Sequence, residues 1–337
     1  MEPFITPTPV QEIAWPEAGD NRIFLKRDDL LPYSFGGNKV RIARAFFEDM
    51  KRRGNDAMIM YGSPRSNLCR VLSALCFDGG IPAVMISSDA APAQEAPSFN
   101  ERIVSGLGVR VIRCTADRIA SAVDSAFELL RGEGRSPYYI YGDRTGSGNE
   151  ACAASAYAEA YGEILSDQER LGVRFDYLYT PYGTGATMGG LICGAAMHPA
   201  AVNPYIVGIS VSSRTHERAC GVLEKTWQSY LKELGAELPA APEELYRLES
   251  GYNAGGYGIS SSGIEQVIDQ MLKRHSVPLD PTYTGKAFLG MLKDLKSHDI
   301  HGRNILFLHT GGTPLFFDYM MSGSKGHDRS CLHESTF

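Results

Sequence analysis

The stretch Gly36-Gly37-Asn38-Lys39 places a lysine at the start of an apolar helix predicted over residues 40–50. The two glycines allow backbone angles that other residues resist. A lysine at that point lies beside the positive end of the helix dipole, which favours its neutral, nucleophilic form, and Schiff-base chemistry requires that form. Taken alone, the stretch is explained better by a solvated lysine at a helix start, so a role for Lys39 needs support from the rest of the chain.

A loop rich in glycine and threonine connects an apolar strand to a helix in the sequence Tyr179-Thr-Pro-Tyr-Gly-Thr-Gly-Ala-Thr-Met-Gly-Gly190. Backbone N–H groups of such a loop and the N-terminus of the next helix bind phosphate, and Thr184 and Thr187 add hydroxyl donors. A dinucleotide loop also requires an acidic residue about 20 positions later, and 199–213 contains none. The chain contains no Gly-Lys-Ser or Gly-Lys-Thr sequence, so the loop is not the P-loop of a nucleoside triphosphatase. The pattern favours a lone phosphate, with a tight strand–helix turn as the alternative.

Ser66 and Asn67 lie in a third strand–loop–helix segment, Tyr61-Gly-Ser-Pro-Arg-Ser-Asn-Leu-Cys-Arg70. Either residue is a good N-cap, and capping alone would explain its presence. The functional interpretation is that this helix start binds a substrate carboxylate, with Ser66 near the reacting carbon. The segment alone does not decide between the two. Three further clusters of polar residues and glycine end apolar segments at 252–258, 280–286 and 307–312, where open α/β sheets bind ligands.

The elements that must position these residues alternate between strand and helix, which predicts wound, mainly parallel α/β units. The first unit has predicted strands at 57–61, 82–87, 109–113 and 138–141, with helices at 67–77, 98–106 and 116–131. After a glycine-rich break at 142–148, the second has helices at 149–166 and 186–197 and strands at 176–180, 205–210 and 304–308. The segment 235–250 is predicted to be an exposed excursion.

Length and composition limit the classes of protein to which the chain can belong. A chain of 337 residues with 43% hydrophobic residues suggests two domains with a sizeable core. The net charge of -6 does not indicate a surface that binds nucleic acid or an anionic membrane. No apolar run is long enough for a transmembrane helix. The N-terminus lacks a secretory signal pattern, and the seven cysteines contain no Cys-x-x-Cys pair. We therefore expect a cytoplasmic protein without a structural metal.

Taken together, in this order and spacing, the segments resemble the fold type II pyridoxal-phosphate (PLP) enzymes, the tryptophan synthase β-like class. More narrowly, they are similar to the branch that contains D-cysteine desulfhydrase and 1-aminocyclopropane-1-carboxylate (ACC) deaminase. The motifs that carry the resemblance are KRDD…FGGNKVR, SN-x-x-R, GTGAT, GGYG, DPTYTGK and HTGG. The resemblance implies two wound α/β domains with the active site between them. The large PLP-binding domain would comprise 1–45 and 151–337, and the small domain 46–150.

The resemblance also assigns residues to the cofactor. Lys39 would form the Schiff base with PLP, and Asn67 would lie by the cofactor ring. Thr284 and Thr310 would lie near the pyridine nitrogen. The implied phosphate loop consists of Gly183, Thr184, Gly185, Ala186 and Thr187.

A further set of residues would contact a small amino-acid substrate. Ser66 and Asn67 would bind it, with Ser66 taking its carboxylate or moving a proton, and Tyr257 and Tyr283 would flank it as catalytic groups. Arg65 departs from the family, which usually has glutamine before the serine. It could add a positive charge for a second acidic group, which puts simple D-cysteine in doubt as the substrate.

Thr284 is the position that discriminates most between activities. ACC deaminases carry a glutamate there, whose charge holds the pyridine nitrogen protonated, and a threonine hydroxyl cannot supply that charge. The chain therefore looks more like a D-cysteine desulfhydrase, which eliminates a β-substituent and yields pyruvate, ammonia and the leaving group.

Other activities stay open. They are a β- or γ-substitution enzyme that makes a specialised amino acid, ACC deaminase, a non-catalytic PLP carrier and, remotely, a nicotinamide-dependent oxidoreductase. The resemblance also suggests a homodimer, and nothing in the sequence indicates a nucleic-acid or membrane partner.

Overall fold

Two open sheets form the framework of the residues that the computed structural model describes, 7–88, 97–199, 201, 203–238 and 240–323. The strands are β1 Val10–Ile13, β2 Arg22–Lys26, β3 Ala57–Tyr61, β4 Ala83–Ser88, β5 Arg110–Cys114, β6 Pro137–Tyr139, β7 Tyr177–Tyr182, β8 Tyr205–Ser210, β9 Tyr246–Glu249 and β10 Asn304–Leu308. The helices are α1 Asn38–Arg52, α2 Asn67–Asp78, α3 Phe99–Gly106, α4 Ile119–Gly132, α5 Glu150–Leu171, α6 Ala186–Met197, α7 His216–Leu234, α8 Pro242–Leu245, α9 Ser262–His275, α10 Thr284–Ser297 and α11 Thr313–Gly323.

The larger sheet has the strand order β1-β2-β10-β7-β8-β9, and the smaller has the order β5-β4-β3-β6. Every pairing is parallel except that of β1 with β2, in which Val10 is opposite Lys26. Central strands such as β3 (Ala-Met-Ile-Met-Tyr) are buried over nearly their whole length, because helices cover both faces of a parallel sheet. The predicted α/β class with mainly parallel strands is confirmed.

The two sheets share a core. One cluster of buried apolar side chains contains Met58 of β3 together with Phe24 of β2 and Leu178 of β7. A second cluster packs the other face of the larger sheet, through Phe307 of β10, against Phe288 of α10. The strands of the smaller sheet all lie within 46–150, while the boundaries of the two domains stay a prediction.

Most predicted elements agree closely with the structure. The strands at 57–61, 205–210 and 304–308 and the helix at 186–197 have the predicted bounds. The prediction of an exposed excursion at 235–250 is wrong, because this segment contains α8 and the edge strand β9. Tyr246 and Leu248 alternate with charged residues and become buried only when β9 pairs with β8. No helix in the described ranges is both long and apolar enough to span a membrane.

Close packing of α5 on α6 gives a stability prediction. A Cβ on Gly194 of α6 would overlap the ring of Tyr161, whereas one on Gly162 of α5 would meet nothing within 4 Å. Gly194→Ala should lower the free energy of unfolding by about 1–3 kcal/mol, the usual cost of overpacking. Gly162→Ala, the matched control, should raise it by up to about 1 kcal/mol. Urea denaturation measures both, and equal effects would contradict the packing argument.

Candidate active site

A cavity of about 310 Å³ lies where the carboxyl ends of strands from both sheets meet. Tyr61 and Ser88 end β3 and β4 of the smaller sheet, and Tyr182 ends β7 of the larger one. Tyr141 follows β6 and Thr310 follows β10, and all five residues line the cavity. Ligands of open α/β sheets bind at such strand ends. The predicted position of the site between two wound units is thus occupied by a cavity.

Lys39 lines this cavity from the first turn of α1. The preceding glycines are required, because Gly36 and Gly37 have φ values of 64° and 97°. A Cβ on Gly37 would also lie 2.8 Å from the carbonyl oxygen of Thr310. Burial lowers the pKa of Lys39 to about 8. More of the amine is therefore neutral and nucleophilic near neutral pH than in a solvated lysine. The cause is burial rather than the predicted effect of the helix dipole.

The glycine and threonine loop connects β7 to α6 at the cavity. Gly183, Thr184, Gly185 and Thr187 line the cavity, whereas Ala186 is buried as the first residue of α6 and is not part of the lining. Thr187 Oγ1 accepts a hydrogen bond of 2.8 Å from Asn38 Nδ2. Because that bond occupies a lone pair, the Thr187 hydroxyl proton stays available to donate to an anion.

Ser66 and Asn67 have both of the roles considered for them. Ser66 is the N-cap of α2, since its Oγ accepts from Cys69 N at 3.2 Å, and it also lines the cavity. Asn67 lines the cavity as well, and its Oδ1 accepts from Asn100 Nδ2 at 2.9 Å. That bond fixes the orientation of the Asn67 amide and leaves its NH₂ group free to donate.

Tyr257 and Tyr283 form a hydroxyl pair at the cavity wall, with their oxygens 2.8 Å apart. As a whole residue, Tyr257 is 43% exposed. Burial raises the pKa of Tyr257, and it raises that of Tyr283 well above the ordinary value. Both hydroxyls are therefore protonated at neutral pH and can act as donors.

Three further predicted residues differ in where they lie. Thr310 lines the cavity, whereas Thr284 and Arg65 are not in the lining of the described residues. Thr284 is fully buried at the start of α10, where its hydroxyl donates to Asp280 Oδ2 at 2.9 Å and accepts from Asp280 N at 2.8 Å. Arg65 is exposed. The structure therefore does not bring Arg65 or the Thr284 hydroxyl to the cavity surface.

Asp280 lies directly behind the cavity wall. Its carboxylate accepts from the backbone N–H groups of Thr282 and Tyr283, each at 2.8 Å, and a Cβ on Gly312 would overlap it. Burial raises the pKa of Asp280. Gly312 itself lines the cavity, so only a glycine separates this carboxylate from a ligand.

Lys286 supports the wall that carries Tyr257. It is fully buried, and its Nζ donates to the carbonyl oxygens of Gly256 and, at 3.4 Å, of Val211. Gly256 immediately precedes Tyr257. The lysine of the DPTYTGK motif therefore ties the loop bearing Tyr257 to the end of β8.

Several lining residues were missed by sequence reasoning. These are Tyr61, Ser63, Ser88, Tyr141, Ser212 and Arg214. Most of them lie at or just after the ends of predicted strands, so the strand-end rule applied to every predicted strand would have found them. Lys39 and Arg214 are the charged side chains of the described lining, which contains no carboxylate.

A larger cavity of about 390 Å³ lies between α1 and α5 and contains none of the predicted site residues. Its walls carry charges of both signs, among them Arg41 and Glu163, which pair with each other at 2.6 Å. Cavity size alone therefore does not select the candidate site, and the convergence of strand ends favours the smaller cavity.

Comparisons with known proteins give the family and the fold of the chain. The chain matches the model of the family described as pyridoxal-phosphate dependent enzyme over residues 1–311. It is 32% identical over 303 residues to a protein of Pyrococcus abyssi provisionally named ACC deaminase, covering 88% of this chain and 86% of that one. A solved ACC deaminase homologue has a TM-score of 0.81 and 28% identity, with 95% of both chains covered. Cysteine synthase from Entamoeba histolytica, with a TM-score of 0.63, 13% identity and coverage of 99% and 91%, shares the fold.

The residues of the cavity fit PLP. Lys39 supplies an amine with a lowered pKa, and the loop at 183–187 supplies backbone donors, the start of α6 and the free proton of Thr187. Thr310 and Asn67 line the space between them.

The pKa of Lys39 gives a prediction for cofactor capture. Mixing PLP with the cofactor-free protein should produce a visible absorbance band, at a rate that rises with pH and is half-maximal near pH 8, because burial lowers the pKa of Lys39 to about 8. A solvated lysine would titrate at about 10.4. Lys39→Ala should show no such band, whereas Lys51→Ala, which removes a lysine elsewhere on α1, should behave as the unmodified protein. A midpoint above about pH 10 would show that the amine is not buried.

Proposed function

This chain belongs to the pyridoxal-phosphate dependent enzymes, and we propose that it is a lyase that eliminates the β-substituent of a small, D-cysteine-like amino acid. The observation that carries the proposal is the absence of a carboxylate from the described cavity lining, together with Thr284 in the position where ACC deaminases have glutamate. A lining built in this way places no carboxylate against the ring nitrogen, since Asp280 lies behind Gly312 and burial raises its pKa. It therefore suits a reaction whose leaving group departs readily.

The position of each residue in the cavity suggests its role in the proposed reaction. Ser66 and Asn67, at the start of α2, carry donor groups at the cavity and would bind the substrate carboxylate. Lys39 would move the proton of the α-carbon, because its lowered pKa allows both protonation states near neutral pH. The Tyr257–Tyr283 pair would protonate the leaving group. PLP supplies the electron-withdrawing ring that makes the α-proton acidic.

ACC deaminase is the second candidate, favoured by the 32% identity to the Pyrococcus abyssi protein of that provisional name. A substitution enzyme is a weaker candidate, because the structures of that kind share only the fold at this identity. A non-catalytic carrier would need no pair of protonated tyrosine hydroxyls. We further propose a cytoplasmic homodimer with domains at 46–150 and at 1–45 plus 151–337, supported by the family resemblance.

Product analysis with three substrates tests the proposal. The PLP-loaded protein is incubated with D-cysteine, L-cysteine and ACC, and 2-oxo acids, ammonia and sulfide are measured. We expect pyruvate, ammonia and sulfide in equal amounts from D-cysteine, which corresponds to the addition of one water. Release of 2-oxobutanoate from ACC at a higher kcat/KM than pyruvate release from D-cysteine would instead assign the chain as a deaminase. A change in the visible absorbance band without release of a 2-oxo acid would favour a substitution enzyme.

A double-mutant cycle tests the support that Lys286 gives to Tyr257. Tyr257→Phe should lower kcat by roughly 10²-fold or more, the usual contribution of a general acid. Lys286→Met, an apolar side chain of similar length, should lower kcat on the order of 10²-fold by displacing the Tyr257 loop. In the Tyr257→Phe background Lys286→Met should lower kcat far less than in the unmodified protein, because most of its effect passes through the Tyr257 loop and the rest through Val211. The cofactor band and the melting temperature serve as folding controls, and additive losses would contradict the positioning role.

A further inference from the structure

Arg214 and Ser212, on the loop after β8, form a polar corner of the cavity that the roles assigned above do not use. We call these two residues the β8 corner. Ser212 follows Val211, whose carbonyl is held by Lys286, so the backbone at this point is fixed. The Ser212 carbonyl is held as well, since it accepts from Asn253 Nδ2 at 2.9 Å.

The guanidinium of Arg214 has donors to spare. It is half-buried, and its Nη1 donates to the carbonyl oxygen of Gly183 at 3.1 Å. It also interacts with the Tyr182 hydroxyl. No carboxylate of the described residues forms an ion pair with it. A guanidinium carries five N–H donors in a planar fork that matches an oxyanion, so Arg214 is available for a ligand.

The Ser212 hydroxyl points to the same conclusion. Its Oγ is buried and has no hydrogen-bond partner among the described residues, although Ser212 lines the cavity. Buried polar atoms are nearly always paired in native proteins, so an unpaired hydroxyl at a cavity wall is free to bond a ligand atom.

The other anionic groups expected in the cavity already have their own sites. The cofactor phosphate has the 183–187 loop and the start of α6, and the substrate carboxylate has Ser66 and Asn67 at the start of α2. Apart from Lys39, Arg214 is the charged side chain that remains in the described lining. A third anionic group of the ligand would complete the charge balance.

We propose that the β8 corner binds an oxyanion carried on the β-carbon of the substrate, so that the enzyme acts on amino acids whose β-substituent leaves as an oxyanion, such as O-phosphoserine. This inference rests on the proposed elimination. In the step, the α-proton passes to the Lys39 amine, and the bond from Cβ to oxygen breaks with its electron pair going to the leaving oxyanion. Addition of water then gives pyruvate, ammonia and phosphate, with no change in overall oxidation state.

The test compares an anionic with an uncharged β-substituent in the PLP-loaded protein. O-phosphoserine and β-chloroalanine are supplied as both enantiomers, and kcat/KM is obtained from pyruvate release. Arg214→Gln should lower kcat/KM for O-phosphoserine roughly 30-fold or more beyond its effect on β-chloroalanine, as expected for loss of a buried charge partner. Arg214→Lys should restore part of this ratio, and Ser212→Ala should shift it in the same direction as Arg214→Gln. The matched control Arg218→Gln removes the same charge from an exposed site on α7 and should leave the ratio unchanged.

Two other readouts separate this role from its rivals. Calorimetric titration with inorganic sulfate should show binding to the PLP-loaded protein that Arg214→Gln abolishes. The affinity for PLP, measured by absorbance, should be the same in both proteins. A fall in PLP affinity with equal losses for the two substrates would assign Arg214 to the cofactor phosphate and overturn the inference.

The failure of the proposed function would look different. Turnover of β-chloroalanine but not of O-phosphoserine by the unmodified protein overturns the inference and leaves the elimination intact. No turnover of either compound contradicts the elimination itself, and with it the substrate class.

Discussion

The contact between Gly37 and Gly311, in the glycine pairs Gly36–Gly37 and Gly311–Gly312, is the constraint on which the site depends. A Cβ on Gly311 would lie 2.5 Å from Cα of Gly37, so neither backbone could approach the other with a side chain in between. All four residues have positive φ, between 64° and 101°. Asn38 N then donates to the carbonyl of Thr310 at 3.1 Å. The start of α1 is thereby fixed against the end of β10, and this contact is what brings Lys39 into the cavity between the two sheets.

A buried network of charges holds the rest of α1 in place. Arg41 pairs with Asp28 at 3.1 Å and with Glu163 of α5 at 2.6 Å. Burial alone would raise the pKa of Asp28, but the charge of Arg41 lowers this pKa below its ordinary value. Buried ion pairs add little net stability, but loss of one partner is costly because the other charge stays buried. The network therefore specifies the orientation of α1 more than it strengthens the fold, and the arginine of the motif around Lys39 has a structural role.

The sequence was sufficient for the residues whose signal is local. Lys39, Ser66, Asn67 and the loop at 183–187 each lie at a helix start marked by glycine or by a capping residue, and the structure brings them to one cavity. Residues and elements whose positions depend on long-range packing were not predicted. Arg214 follows a correctly predicted strand but carries no local signature. The edge strand β9 is defined by its pairing with β8 rather than by its own composition. Thr284 was predicted at the cofactor, but its hydroxyl hydrogen-bonds to Asp280, a contact that spacing alone does not reveal.

The charges of the cavity suit a ligand that carries several anionic groups. Burial keeps both tyrosine hydroxyls protonated and leaves a fraction of Lys39 neutral, so most of the wall consists of neutral donors. Neutral donors and helix starts bind anions without bringing a full countercharge, which limits the desolvation cost of burying them. Arg214 and the protonated fraction of Lys39 are the exceptions, and Arg214 is a full charge half-buried beside the loop. A cation in a wall of neutral donors discriminates between ligands by their charge, because a ligand without an anionic group at that point would leave the guanidinium partly desolvated and unpaired.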